Sequence, residues 1–381
     1  MINMAVESMD RCAKRAQRER LANLALGFAL VGSLAACGGG EDTSADPPAA
    51  PAPAPATSQA TSKSALQTLT DVGPANYPAG TVQRGAWDVM QGERVACGFG
   101  AIKQDVRLDA ANTNHQEYLT HKSLATGQSW TGYYETAGDV ASAYFTGVNV
   151  GDRIHHVGLP ALAWGMEILT GSYASPSKGA PDQIVLDSNR GASNIRELMT
   201  TVYHLKGAMV EGKLAGIGYS HLRDTDITSP ASDFEVYRYG TQVMSLNGAD
   251  LQRLGTNVVA TYPCAAAQQV QGNFQPAWER PNPFPEITSN TINYGTPIYF
   301  KVDYTSTLTV TSLALIQVSD GTTIATRNLT AATDPARMLG KHEFFAVPTS
   351  ALTVGQSYRV VAAGTVDGHA WLKDYIFTVS F

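Results

Sequence analysis

From Gly38 to Ser64 the chain reads GGGEDTSADPPAAPAPAPATSQATSKS, and its alternating Pro and Ala leave no side chain large enough to nucleate a core. Whatever folds must therefore be built from the residues that follow. Polyproline-like backbone rises about 3.1 Å per residue, so residues 37–84 read as a soluble tether able to hold a body several nanometres from its anchor.

The segment ahead of the tether is a targeting pattern. Arg11, Lys14, Arg15, Arg18 and Arg20 form a positive region, and Leu21 to Leu34 is an uncharged, mostly apolar run too short to cross a bilayer comfortably. Residues 1–36 are thus expected to be a secretory signal peptide. The end of this run, Leu34-Ala35-Ala36-Cys37, resembles the bacterial lipobox. That resemblance implies cleavage before Cys37, diacylation through its thiol and acylation of the new amino terminus; a plain signal peptide leaving Cys37 free is the alternative. Each buried methylene adds about 0.8 kcal/mol, so several acyl chains give lasting anchorage where one would not. Gly38, not Asp, follows the cysteine, which implies sorting to the outer membrane. Which side of that membrane the body faces is left open.

Cysteine usage then simplifies. Cys12 departs with the signal and Cys37 carries lipid, which leaves Cys97 and Cys264 as an even pair in an oxidising compartment. A disulfide is expected, with two buried free thiols as the alternative. Closing a loop of more than 160 residues is assigned about 4 to 5 kcal/mol by the chain-entropy account.

Composition excludes some function classes. At 44% hydrophobic and 16% charged, the 381 residues are ordinary globular material, enough for two domains. Without the signal, 22 basic residues face 30 acidic ones, and no basic block lies beyond the first twenty positions. Nucleic acid is therefore not an expected partner, and anionic lipid offers the body no electrostatic attraction.

Between Ala86 and Pro263 helices precede short strands. Val106, Leu108, Ala111, Tyr118 and Leu119 have amphipathic helical spacing, with Asp105 or Asp109 near the start. Ile195, Leu198, Met199, Val202, Leu205 and Met209 predict a second helix, capped by Ser193 or Asn194. Strand-like runs follow at Ala215–Tyr219, Phe234–Tyr239 and Asn257–Tyr262. Without βαβ alternation, this order predicts an α+β class with an antiparallel sheet.

These residues also carry a family resemblance. Cys97-Gly98-Phe99-Gly100, Leu108-Asp109-Ala110-Ala111 with Asn114-His115, Tyr134-Glu135-Thr136-Ala137-Gly138, Phe145-Thr146-Gly147, Asp152-Arg153, Gly165-Met166-Glu167-Ile168, Tyr203-His204, Gly216-Ile217-Gly218 and Val258–Pro263 occur in the order found in the bacterial branch of the CAP superfamily. That superfamily comprises cysteine-rich secretory proteins, antigen 5 and plant pathogenesis-related proteins. The resemblance implies a CAP (SCP) domain at 85–263, an α-β-α sandwich with a cleft on one face.

Family members often hold two His and two acidic residues in that cleft, able to bind a divalent ion. Carried over, Glu167 matches the Glu of the family's Gly-Glu-Asn-Ile segment, with Met166 intervening, and His204 matches the second His. Tyr133 stands where the first His normally precedes the Tyr-Glu pair, beside Tyr134-Glu135. Glu197 is a weak match for the second acid, seven residues before His204 and about 10 Å away if one helix carries both. A phenol with its ordinary pKa near 10 is a poor zinc ligand at pH 7. The cleft candidates are therefore Glu167, His204, Tyr133 and Glu135, with Glu167 and His204 possible metal ligands but no metal or other cofactor expected. His155-His156 reads as a solvated turn, since neighbours on a helix point about 100° apart.

Residues 264–284, ending in Pro281-Asn282-Pro283-Phe284, read as a linker to an all-β domain at 285–381. There Ile298, Phe300, Val302 and Tyr304 alternate with Tyr299, Lys301 and Asp303, as Tyr375, Phe377, Val379 and Phe381 do with Ile376, Thr378 and Ser380. Asp320-Gly321 and Asp367-Gly368 mark turns. Short strands over this length predict an immunoglobulin-like β-sandwich, and Gly364–Gly368 before a final aromatic strand resembles bacterial Ig-like modules.

The expected function is that of a non-catalytic envelope lipoprotein whose CAP cleft binds a small apolar or lipid ligand or a partner protein. A metal-dependent hydrolase and an adhesin using the Ig-like domain are the alternatives. Neither Gly-x-Ser-x-Gly nor His-Glu-x-x-His is present, and Gly218-Tyr219-Ser220-His221 lacks the strand-to-helix elbow of a nucleophilic serine.

Overall fold

Asp105 settles where the long helix begins. Its side chain accepts the Arg107 amide and caps α2 (Val106–Thr126), which ends at Gly127 in the left-handed region, φ 64°. Asp109, the other expected cap, lies inside α2 and accepts the Ile217 amide at 2.8 Å and Gln104 Nε2 at 2.6 Å, tying helix to sheet. Leu108, Ala111, Tyr118 and Leu119 are buried as their spacing requires. Val106 is 59% exposed, because α2 meets the sheet only from Leu108 onward.

The computed structural model describes residues 68–128, 131–160, 164–225, 232–246 and 250–381. The signal peptide, Cys37 and the tether as far as residue 67 lie outside them. The described residues all fall within one compact unit, Ala60–Phe381, of mixed α and β structure. No described helix is long and apolar enough to cross a membrane.

A four-stranded sheet forms the middle layer of the N-terminal half: β1 (Lys103–Gln104), β2 (Trp164–Ala174), β3 (Leu214–Asp224) and β4 (Phe234–Ser245), in the order β1-β3-β4-β2. It is antiparallel except for the short parallel pair of β1 with β3, which departs from the expected all-antiparallel sheet. α2 covers one face. Gly216 and Gly218 permit the close approach, since a Cβ on either would overlap α2 backbone at Leu108 or Thr113. α3 (Val150–His156) packs beside α2, with Leu108 and Ile154 in one apolar cluster.

The opposite face carries Ile217, Tyr237, Tyr239 and Val243, which meet α1 (Val82–Ala96), α4 (Ser188–Met199) and α5 (Val202–Ala208) in the largest core. The expected single helix over Ile195–Met209 is in fact two. Asp187, not Ser193 or Asn194, caps α4, and the chain breaks at Thr200-Thr201, whose hydroxyls bond to the Glu197 and Leu198 carbonyls.

The C-terminal residues pair into two four-stranded sheets. One contains β5 (Ala260–Tyr262), β8 (Ile298–Lys301), β11 (Thr326–Thr330) and β12 (Glu343–Pro348). The other contains β9 (Leu308–Gln317), β10 (Thr323–Ile324), β13 (Ser357–Val366) and β14 (His369–Thr378). Short β6 (Asn273–Phe274) and β7 (Tyr294–Gly295) pair separately. Ile298, Phe300, Phe344, Val360 and Phe377 share the core between the two large sheets. Both expected Asp-Gly turns form, and at the tip of β13 and β14 Asp367 (φ 49°) and Gly368 (φ 86°) are both left-handed, as a tight hairpin requires.

Alternation over 298–304 predicts one buried and one solvent face, yet all of β8 is buried. Its second face packs on the N-terminal core, where Tyr299 stacks on Phe345 with centroids 4.4 Å apart and on Phe99 at 5.9 Å. The run Asn257–Tyr262, read as a strand of the N-terminal sheet, contributes only β5, and β5 pairs with β8. Phe284 of the Pro-rich segment is buried in the same core, under the Arg327 guanidinium. Buried ion pairs cross the same boundary, Lys301 with Glu211 at 2.8 Å and Lys206 with Glu343 at 2.7 Å. Cys97, at the end of α1, and Cys264, just after β5, form a disulfide.

Candidate functional site

The break between α4 and α5 shapes a cleft. It turns α5 so that Glu197 from α4 and His204 from α5 both line a cavity of about 510 Å³, with Tyr133, Thr170 and Gly171 of β2, Arg238 and the segment Gln271–Arg280 completing its walls. The 10 Å separation expected for one continuous helix does not apply. A site of this size lies within the range of small-molecule pockets.

His204 sits at the base. Its Nε2 lies 3.3 Å from the Tyr133 hydroxyl, its Nδ1 2.7 Å from Thr201 Oγ1 and 3.5 Å from Glu279 Oε1. Burial lowers its pKa from 6.5 to about 4, so the ring is neutral at pH 7. With the Thr201 proton directed to the Leu198 carbonyl, the tautomer that satisfies every group donates from Nδ1 and accepts the Tyr133 proton at Nε2. Burial also raises the Tyr133 pKa, reinforced by Glu279, and keeps the phenol protonated.

Glu279, which no motif or spacing singles out, closes the base. It accepts the amides of Val202 (3.0 Å), Tyr203 (2.6 Å) and His204 (3.4 Å) at the start of α5. Burial pushes its pKa up to about 7, against those amide donors, which favour the ionised form. It lies beyond the matched CAP positions, in the segment read as a linker, and only the chain's return across α5 brings it here.

Glu135 and Glu167 belong to a second, adjoining cluster around His115 of α2. His115 Nδ1 lies 3.0 Å from Glu135, and its Nε2 lies 3.7 Å from Glu167 without a hydrogen bond among the described residues. Glu167 takes Arg153 Nη2 at 2.5 Å and Gln242 Nε2 at 3.0 Å. Burial works to raise the Glu135 pKa, but the bonds from His115 and from the Thr146 amide, with the nearby Arg153 charge, hold it below its usual range. Glu135 also receives the Gly147 amide. Both carboxylates are thus committed to protein donors. His115 and Arg153 stood inside the recognised stretches, and their complete burial is the signal that sequence reading lacked.

The expected cleft set is therefore divided: Tyr133 with His204, and Glu135 with Glu167. Metal-like geometry among the described residues occurs elsewhere, where ligand atoms of Asp182, His221 and Glu235 lie within 4.8 Å of one another. Arg223 pairs with Asp182 there at 2.9 Å, and Glu235 accepts two backbone amides, from Gln183 and Ile184. His155 and His156 are exposed near the end of α3, with His155 Nδ1 3.2 Å from the Leu159 carbonyl.

No protein-family model matches the chain, and no curated protein is significantly similar to it.

Proposed function

We propose that this chain is a non-catalytic envelope lipoprotein, anchored in the outer membrane through Cys37, whose CAP-type domain binds a ligand in its cleft: a small apolar or lipid molecule or a segment of a partner protein. An immunoglobulin-like sandwich follows that domain. The helix–sheet–helix layering and the two facing C-terminal sheets support the domain types. One observation carries the functional reading, the cavity of about 510 Å³ beside Tyr133 and His204. Its polar groups at the base are bonded to one another, which suits holding a ligand better than activating a nucleophile. No activated serine, thiol or ligand set is assembled there among the described residues.

Native mass spectrometry with palmitate, a lysophospholipid and short peptides tests this. At least one is expected to bind one to one, and Thr170→Trp, which fills the cavity, should abolish the adduct while the circular dichroism spectrum is retained. Adducts unaffected by that substitution, or none with any probe, would refute the cleft as the ligand site.

A further inference from the structure

β2 forms one outer edge of its sheet. It pairs with β4 from Trp164 to Ala174, and no strand adjoins its other side among the described residues. Over Thr170–Ala174 that open side faces the cleft: Thr170, Gly171 and Tyr173 line the cavity, Gly171 is exposed and Tyr173 is 60% exposed. The facing wall is Gln271, Asn273, Gln275 and Trp278, and among the described residues no hydrogen bond joins the two walls. In an antiparallel edge strand, alternate residues turn both N–H and C=O away from their partner. A row of backbone donors and acceptors is thus presented to the cavity.

A lipid tail would leave those groups without water or partner, at about 1 to 3 kcal/mol for each one buried. An extended polypeptide supplies the complementary row at the same repeat. Charge narrows the choice further. Arg238 donates to Ser123, Arg280 to the Ala277 and Glu279 carbonyls, and Glu279 accepts the α5 amides. Glu197 lines the cavity from an exposed position, and its carboxylate makes no hydrogen bond or ion pair among the described residues. A cationic side chain on a ligand in the cleft would form an ion pair with it.

Resting on the cleft being the ligand site, we propose that its ligand is an extended peptide carrying a Lys or Arg, which adds a strand to the open edge of β2 at Thr170–Ala174 and places its basic side chain at Glu197.

Fluorescence polarisation with labelled hexapeptides of alternating Val and Thr, bearing Lys or Glu at the third position, tests this on the full chain. The Lys peptide should bind about tenfold more tightly than the Glu peptide, because a charge-assisted hydrogen bond stands in place of a repulsion between like charges. N-methylating one alternate set of its amides should weaken binding by about tenfold or more, since each lost ladder bond is worth about 1 kcal/mol, while methylating the other set should change little. Glu197→Gln should bring the Lys and Glu peptides to within about threefold of each other. Peptide binding indifferent to N-methylation of either set, or absent while palmitate binds, overturns the strand-addition proposal and leaves the cleft reading intact. Absence of every probe overturns both.

Discussion

The Tyr133 hydroxyl faces His204 Nε2 at 3.3 Å, so a phenol, not a second imidazole, is the group against that ring nitrogen. Glu167, the expected acidic partner, is held by Arg153 and Gln242. Zinc in proteins ordinarily takes three or four N, O or S donors, and this arrangement leaves His204 without a set among the described residues. Elemental analysis of the purified protein should find zinc well below one equivalent. Tyr133→His should raise zinc affinity by at least about tenfold, one imidazole ligand being added. Stoichiometric zinc that His204→Gln removes, or peptide hydrolysis stopped by a chelator, would favour the hydrolase instead; zinc lost only on His221→Gln would belong to the Asp182, His221 and Glu235 cluster.

His204 and Glu279 should give opposite pH dependences. The folded His204 pKa of about 4 lies below the ordinary 6.5, so the unfolded chain binds more protons between those values and the contribution is lost as pH falls through them. The folded Glu279 pKa of about 7 lies above the ordinary 4.5, so the folded chain binds more protons between those values and stability declines as pH rises. The two slopes oppose one another in the overlap. Urea midpoints should therefore rise with pH more steeply in Glu279→Gln than in wild type from pH 4.5 to 7, and fall more steeply in His204→Gln than in wild type from pH 4 to 6.5. Three parallel profiles would contradict this assignment.

The Cys97–Cys264 disulfide spans 167 positions and joins α1 to the segment after β5. Replacing both cysteines with Ser should lower unfolding stability by about 4 kcal/mol through the released loop, measured by urea denaturation. Intact-mass analysis after alkylation without reduction should find neither thiol modified; labelling of both would remove the bridge.

Cys37 precedes the described residues, and its role rests on the lipobox pattern. Cys37→Ser should release the protein from membrane fractions, because loss of the acyl chains removes the hydrophobic anchor. A variant still sedimenting with outer membranes would contradict lipid attachment.

Local signals in the chain were enough for several elements. The spacing Leu108, Ala111, Tyr118, Leu119 drew α2, Asp-Gly placed two hairpin turns, and two leftover cysteines anticipated the disulfide, because each depends on residues near in sequence or on a count. Alternation over Ile298–Tyr304 revealed a strand but not that both its faces are covered, since the second covering comes from Phe99, about two hundred positions away. The helix break at Thr200-Thr201 escaped for a related reason. Its apolar stripe continues across the break, and only the Glu279 carboxylate at the α5 amides fixes the new direction. Glu135 and Glu167 carried the right chemistry, yet Arg153 and His115 decided that they serve the interior and not the cleft. By itself, then, the sequence determined the α+β class, the elements with clear local periodicity and some of the residues able to carry chemistry. Tertiary structure alone decided which of them meet, because a side chain's partner is set by long-range packing, whereas the periodicity that builds its helix or strand is local.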